Sequence, residues 1–333
     1  MPASILTTTS GIGIGFIAQN LAANCRTITR ALTFDGWGSE NTVSFSHVEV
    51  IHEKTAKELA AHINPGDKIL AIEHAYGLIG SGDAQWYLMP MYESGNTAEN
   101  VAKADEIISP THICQQHIIE HYGKDSRLLP IPFSVDEFPY RKRTSVKRVL
   151  HNAGSLGQRM RKGTPAAIEI FQKSGVARHG VELLIRSWVE PPAEMREMIA
   201  REPDGIVWDV GFCDPLWAAY EDSDLLLHTA KVEGYGMPVP EAMACGCPVL
   251  CAGYAPMTEF EDEPDYQIPI GMIEPSPVNP RAYHQHVDTD AGASMLADIC
   301  GRGLGSRSME VRDKIRRALD WSVWRDEWEE AMS

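Results

Sequence analysis

The segment from Asp224 to Cys251 admits few folds. An apolar run, Asp224-Leu-Leu-Leu227, leads into Glu233-Gly-Tyr-Gly-Met-Pro-Val-Pro-Glu241. The chain continues Ala-Met-Ala-Cys-Gly-Cys and reaches a second apolar run, Pro248-Val-Leu-Cys251. Short apolar runs flanking a glycine- and proline-marked loop read as strand, tight loop, helix, strand. Such a loop, at the carboxyl end of a strand in an open α/β sheet, is where ligands sit. Glu241 falls in the first helical turn, among backbone N–H groups without helical partners. A carboxylate there accepts hydrogen bonds from sugar or ribose hydroxyls, and the N–H groups suit phosphate. A solvated loop carboxylate is the plainer reading of Glu233 and Glu241.

The same alternation runs through the chain. Ala3-Ser-Ile-Leu-Thr-Thr is strand-like, Ser10-Gly-Ile-Gly-Ile-Gly15 is a glycine turn, and Phe16 to Ala23 has a helical pattern. The spacing is GxGxG, so the dinucleotide fingerprint GxGxxG is not met, and a tight βα turn explains the glycines as well as a ligand does. Further strands are expected at Val43 to Phe45, Val48 to Ile51, Lys68 to Ile72 and Glu106 to Ser109. Helices are expected at Glu53 to Ile63, Ala98 to Ala104 and Thr111 to Tyr122. A proline-rich stretch from Leu129 to Pro139 precedes the basic run Tyr140-Arg-Lys-Arg-Thr-Ser-Val-Lys-Arg148, so a domain boundary is placed near residue 140. The pattern then restarts, with strands at Arg148 to Asn152, Val181 to Ile185 and Gly205 to Val210. Helices are expected at Thr164 to Lys173, Pro192 to Arg201 and Pro215 to Tyr220. Residues 254–287 resist assignment. Residues 308–332 read as one amphipathic helix or a kinked pair. The expectation is a parallel α/β protein of two Rossmann-like domains, 1–140 and 141–307, with a C-terminal helix at 308–333.

Composition narrows the function. The chain has 333 residues and a formal net charge of −16, so a general polyanion-binding surface is not expected. Seven cysteines, without a CxxC pair, read as free thiols in a reducing, cytoplasmic setting. The N-terminal segment lacks a basic n-region and is broken by glycines, unlike a secretory leader. No apolar run approaches the ~20 residues that span a bilayer. The twelve histidines include no HExxH pattern, and no metal site is expected.

The motifs together resemble a GT-B glycosyltransferase of the retaining family 4 type. Glu233 to Glu241 is similar to that family's E-x7-E motif, and Glu241-Ala-Met-Ala-Cys-Gly-Cys-Pro-Val249 to its continuation. Pro132-Phe-Ser-Val-Asp-Glu-Phe138, His151-Asn-Ala-Gly154 with Arg161-Lys-Gly163, Tyr220 to Leu227 and Trp321-Ser-Val-Trp324 resemble further family elements. The similarity is dense from about residue 130 to 255 and thin elsewhere. Ser155 stands where arginine is usual, so Arg159 or Arg161 takes that charge. Ser134 replaces a glycine, and His228-Thr229 stands where Pro-Ser is typical.

The resemblance implies a nucleotide-sugar donor, UDP- or GDP-linked, and a hydroxyl acceptor, with no metal required. Glu241 would bind ribose hydroxyls and Glu233 would lie by the sugar. The backbone of Gly234, Tyr235, Gly236 and Met237 would face the sugar and diphosphate. Lys162 and Arg161 would neutralise the diphosphate, since fixed positive charge stabilises charge developing on the leaving group. Basic residues at a helix start oppose the helix dipole unless an anion lies there, which favours a ligand at Arg161-Lys162. Gly11 and Gly13 would close on the diphosphate from the first domain. His74, after a strand, would meet acceptor or sugar, and a satisfied structural histidine fits it equally well. Phe212 and Trp188 follow strands near the expected base pocket, where core packing explains them as well.

The acceptor is less constrained. Residues 1–140 carry 8 Lys/Arg against 16 Asp/Glu, which argues against a basic DNA-binding face. The basic run 140–148 keeps one alternative open: a DNA glycosyltransferase that flips a hydroxymethylated base of viral DNA into its site. A solvated charge run between domains is the plainer reading. A sugar-nucleotide epimerase and a non-catalytic nucleotide-sugar-binding protein are the remaining alternatives. A glycan phosphorylase would need pyridoxal phosphate and a longer chain.

Overall fold

The computed structural model describes residues 3–8, 13–35, 44–93, 98–154, 161–202, 204–211, 213, 215, 217–277 and 279–333. The chain forms two compact units, Met1–Phe133 with Leu319–Ser333, and Ser134–Ala318.

In the first unit the strands are β1 (Ala3–Thr8), β2 (Ile28–Phe34), β3 (Glu49–Glu53), β4 (Lys68–Ile72), β5 (Gln85–Met89), β6 (Glu106–Ser109) and β7 (Arg127–Leu128). They lie in the order β3-β2-β1-β4-β5-β6-β7, every pair parallel. Every residue of β1 is buried, as a central parallel strand covered on both faces requires. Trp86, Leu6, Leu32, Leu59 and Ile69 are fully enclosed in the core on one side of this sheet. Burial of side chains of this size contributes about 1.5–3 kcal/mol each.

In the second unit the strands are β8 (Arg148–Gly154), β9 (Glu182–Ser187), β10 (Ile206–Val210), β11 (Leu225–His228), β12 (Val249–Ala252) and β13 (Gln267–Ile268). Their order, β10-β9-β8-β11-β12-β13, is again wholly parallel. Both sheets therefore reverse direction of growth beside their first strand, at β1/β4 and at β8/β11. This is the 3-2-1-4-5-6 Rossmann order, whose ligand crevice opens at the carboxyl ends of the two strands flanking the reversal. Each unit is thus a Rossmann-like α/β unit, as expected. A separate antiparallel hairpin, β14 (Ile270–Pro275) with β15 (Tyr283–Val287), occupies the stretch that sequence left unassigned.

Several elements differ from expectation. Ser44 and Phe45 are not in a strand, and the strand near Val48 runs from Glu49 to Glu53. The helix expected from Glu53 starts at Ala56, because Thr55 and Glu58 form a reciprocal capping box there. It closes with a 3-10 turn, Ala60–His62. The helix expected at Pro215 to Tyr220 is limited to Ala218–Glu221. The kinked-pair reading of the C-terminus holds: helices Arg307–Leu319 and Trp321–Ala331 are separated by Asp320, whose side chain caps the second by accepting from the Ser322 amide at 2.9 Å. The second of these helices packs within the first unit. Trp328, fully buried, donates to the Pro130 carbonyl at 2.9 Å, and Trp321 donates to Asn20 at 3.1 Å.

In the basic run 140–148 the three arginines are engaged by neighbouring chain, whereas Lys142 and Lys147 are exposed. Arg143 is 1 % exposed and donates to the carbonyls of Ser223, Tyr220, Arg141 and Cys245. Arg141 caps the Glu221 and Ser223 carbonyls and pairs with Asp224 at 2.8 Å. Arg148 pairs with Glu182 at 2.7 Å. These guanidinium groups tie off chain ends inside the unit.

Candidate functional site

Strand β11 ends at His228, and the chain turns through Thr229 to Glu233 into the glycine loop. Glu233 is 3 % exposed. Its carboxylate accepts from Lys162 Nζ at 2.5 Å and from Arg161 Nη1 at 3.0 Å. Arg161 also donates to the Val232 carbonyl at 3.1 Å. Burial pushes the Glu233 carboxyl up, but Lys162 and Arg161 outweigh it and hold it at about 2. The carboxylate is therefore ionised across the physiological range.

The two basic residues precede Gly163, which caps the helix Thr164–Ser174. The anion that the helix dipole calls for at this position is supplied in the protein itself, by Glu233. The loops are also bolted through the backbone. Lys231 donates its amide to the Arg161 carbonyl at 2.7 Å, and Thr229 Oγ1 donates to the Gly163 carbonyl at 2.9 Å. Gly163 has φ +71°, and a Cβ there would lie 1.9 Å from the Thr229 carbonyl oxygen. Only glycine permits that approach.

Two buried histidines stand beneath the cluster. His151, on β8, is held by the Leu227 carbonyl at 3.0 Å and Thr164 Oγ1 at 2.9 Å, and burial lowers its pKa to about 4. His228 lies 3.6 Å from Glu233 through Nε2. Burial brings its pKa down to about 3 against the pull of Glu233, so it is neutral at pH 7. Among the described residues its Nε2 has no hydrogen-bond partner.

Glu241 sits in the short helix Pro238–Ala244 and is 8 % exposed. Burial raises its pKa to about 7, even though Tyr220 donates to the carboxylate at 2.6 Å and Lys162 favours its charged form. Tyr220, itself buried, also accepts from Asn152 Nδ2 at 3.3 Å. In the glycine loop, Gly236 takes φ +81°, a left-handed conformation suited to glycine. Tyr235 is buried, its ring 5.1 Å from that of Phe260, so its side chain serves packing and its backbone borders the loop.

The structure thus brings Glu233, Arg161, Lys162, Glu241, Gly234, Tyr235, Gly236 and Met237 into one unit, around the exits of β8 and β11. His74 belongs to the first unit, in the loop after β4. It lies 3.6 Å from Glu73, with its ring edge-on to Tyr76 at 5.7 Å, and burial lowers its pKa. Gly13 begins the helix Gly13–Asn24, and a Cβ there would meet nothing within 4 Å. Gly11, Phe212, Ser155 and Arg159 lie outside the described residues. Sequence reasoning passed over Tyr220 as the partner of Glu241, and His151 and His228 as the floor of the cluster. The one available signal was His228-Thr229 in place of Pro-Ser.

The arrangement is a buried carboxylate gripped by two cations at a Rossmann reversal point, followed by a glycine loop and a second carboxylate in the next helix. Residues 207–289 match the family model of glycosyl transferases group 1. The group 1 match takes in Tyr220, His228, Glu233, the glycine loop and Glu241, and does not reach back to Arg161 and Lys162. None of the curated protein sequences matches the chain. Among solved structures, the chain is similar to TarM of S. aureus, crystallised with UDP, at 14% identity and TM-score 0.62 over 83% of this chain. It spans only 58% of the TarM chain. It is similar to HepE of Anabaena, crystallised with UDP and glucose, at 13% identity and TM-score 0.69, over 100% of this chain and 99% of that one. It is also similar to WaaG, a glycosyltransferase involved in lipopolysaccharide biosynthesis, at 16% identity and TM-score 0.67, over 100% of both chains. At these identities the likeness to solved structures is one of fold. The group 1 glycosyltransferase region supplies the motif. No helix among the described residues is long and apolar enough to cross a membrane.

Proposed function

We propose that this protein is a metal-independent, retaining glycosyltransferase that moves a sugar from a UDP- or GDP-sugar to a hydroxyl acceptor. The convergence of Arg161 and Lys162 on Glu233, beside the group 1 glycine loop, carries this reading. TarM and HepE were both crystallised with UDP, so a UDP-sugar is the first donor to test.

In this reading the diphosphate lies against Lys162, Arg161 and the N-terminus of the helix Thr164–Ser174. Fixed, partly desolvated cations there stabilise charge as it develops on the leaving group. Glu233 keeps both cations aimed and presents a carboxylate edge to the sugar. Glu241, oriented by Tyr220, accepts from the ribose hydroxyls. The bond from the anomeric carbon to the diphosphate oxygen breaks as the bond to the acceptor oxygen forms on the same face. The acceptor proton passes to the departing phosphate oxygen, so no separate protein base is needed. His74, in the first unit, serves the acceptor.

The test is a panel of UDP-, GDP- and ADP-sugars without acceptor. The expected result is a stabilisation of ~2.7 kcal/mol by one donor at ~100 times its Kd. Slow release of the nucleoside diphosphate should accompany it, unchanged by EDTA. Transfer to a hydroxyl acceptor should keep the donor's anomeric configuration by NMR. No stabilisation and no release with any donor would overturn the activity. Inverted product would overturn the retaining mechanism alone. The DNA-acceptor alternative is tested separately: a salt-sensitive mobility shift with hydroxymethylated DNA would favour it, and no shift at low salt would remove it.

A further inference from the structure

The hairpin β14–β15 carries a second cluster that the donor-site reading does not use. His284 and His286 are two residues apart on β15, so both side chains stand on one face of the strand pair. Glu274, on β14, is registered directly opposite His284. His286 Nε2 and Glu274 Oε1 are 2.8 Å apart. One ligating atom from each of the three residues can be chosen so that all lie within 4.8 Å of one another. From this geometry we propose that Glu274, His284 and His286 form a binding site for a borderline divalent metal ion, of which Zn2+ is the type.

The donor set decides the class. Two imidazoles and one carboxylate suit zinc and its neighbours in the first transition row, whereas calcium and magnesium demand mostly oxygen ligands. Tetrahedral binding at about 2.0–2.2 Å needs ligating atoms roughly 3.3 Å apart, a contraction that side-chain rotation on a fixed backbone can supply. The backbone is fixed by the ladder between the two strands and by the Gln285 amide, which donates to the Lys231 carbonyl at 2.8 Å. Three protein ligands leave a fourth position for water or an external group. The two histidines are half-buried and the glutamate is exposed, so an ion can enter from solvent. Lys231 works against it, since its positive charge acts on both Glu274 and His284. The affinity is set by three good ligands less that repulsion. The HxH spacing falls outside the HxxxH and HExxH patterns because those place ligands on one helical face, and the period of a strand is two.

The experiment uses the full chain, stripped with chelator and titrated with Co2+, whose visible absorption reports coordination, then with Zn2+ in competition. The expected result is one equivalent per chain and a rise in Tm on Zn2+ binding. His284→Gln and His286→Gln should each weaken binding by about 100-fold or more and abolish the Tm rise, with metal-free Tm unchanged. Lys231→Met should tighten it several-fold. Unaltered affinity and stoichiometry in both histidine variants would place the metal elsewhere and overturn the proposal. Absence of Co2+ absorption in the wild type would overturn it too. Neither readout depends on sugar transfer, so the donor reading and this site stand or fall separately.

Discussion

The two units share a strand order but finish their reversal points in different ways. In the second unit, the exits of β8 and β11 enclose charge: Glu233 with Arg161 and Lys162, Glu241 with Tyr220, and two neutral histidines below. In the first unit, the loop after β4 is built by backbone shape. Glu73, Tyr76 and Gly77 all take positive φ, at 63°, 50° and 76°. Tyr76 stacks edge-on against Phe34 at 4.6 Å, and His74 is left half-exposed. Non-glycine residues at positive φ persist where surrounding structure holds them, and they cluster at functional loops. The same topology thus offers a site organised by fixed charge in one unit and one organised by contour in the other. A charged, invariable donor leaving group fits the first, and an acceptor defined by its outline fits the second.

The largest expected break of that contrast is Lys162→Ala. It removes one of the two cations on Glu233 and should lower kcat about 10²–10³-fold in a donor-hydrolysis assay. Retained turnover would show that the charge cluster is structural only. Next is Gly163→Ala, which drives a Cβ into the Thr229 carbonyl. It should cost about 3 kcal/mol or more in urea unfolding, whereas Gly13→Ala, in open space, should be neutral or slightly stabilising. Equal effects would erase the distinction between a bolted and an open glycine.

A comparable effect is expected from pH. The folded pKa of Glu241, about 7, lies above its usual 4.5, so burial favours the protonated form. Folding stability should fall as pH rises from about 4.5 through 7, by about 3 kcal/mol at most. Glu241→Gln should flatten that slope in urea midpoints. Glu233 has the opposite sign: its pKa is depressed to about 2, so its contribution is complete above 4.5 and is lost as pH falls toward 2. A slope above pH 5 that survives in Glu241→Gln would assign it to another group. The smallest expected change is His74→Ala in the first unit. A loss of about 10-fold in kcat/KM toward acceptor, with donor hydrolysis intact, would place His74 on the acceptor side.

Much of the second unit was legible in the sequence. Its strands are short apolar runs closed by glycine or proline, and the spacing from Glu233 to Glu241 placed both carboxylates at one loop. The first unit was harder. Strand β2 mixes Thr and Arg into its apolar residues, since Arg30 reaches Asp67 at 2.5 Å. Strand β5 is a five-residue run hemmed by Gly80 to Asp83 and Pro90, a length at which periodicity does not separate strand from helix. The helix Thr289–Arg302 went unassigned because its buried face is made partly of small residues, Gly292 and Ala293. The pairing of Glu241 with Tyr220 spans 21 positions and has no local signature. The fate of the 140–148 run was illegible for a related reason: a buried arginine that caps carbonyls looks in sequence like any surface cation. Arg161 and Lys162 were found through motif and dipole, but the dipole argument assumed an outside anion where Glu233 already stands.

Lys231 draws three segments together. Its amide goes to the Arg161 carbonyl, its carbonyl receives the Gln285 amide, and Thr229 two residues earlier grips Gly163. The path from Thr229 to Glu233 is thereby measured at both ends, and one residue more or fewer would put it out of step with two neighbours at once. Length variation among proteins built this way should be absent from that stretch.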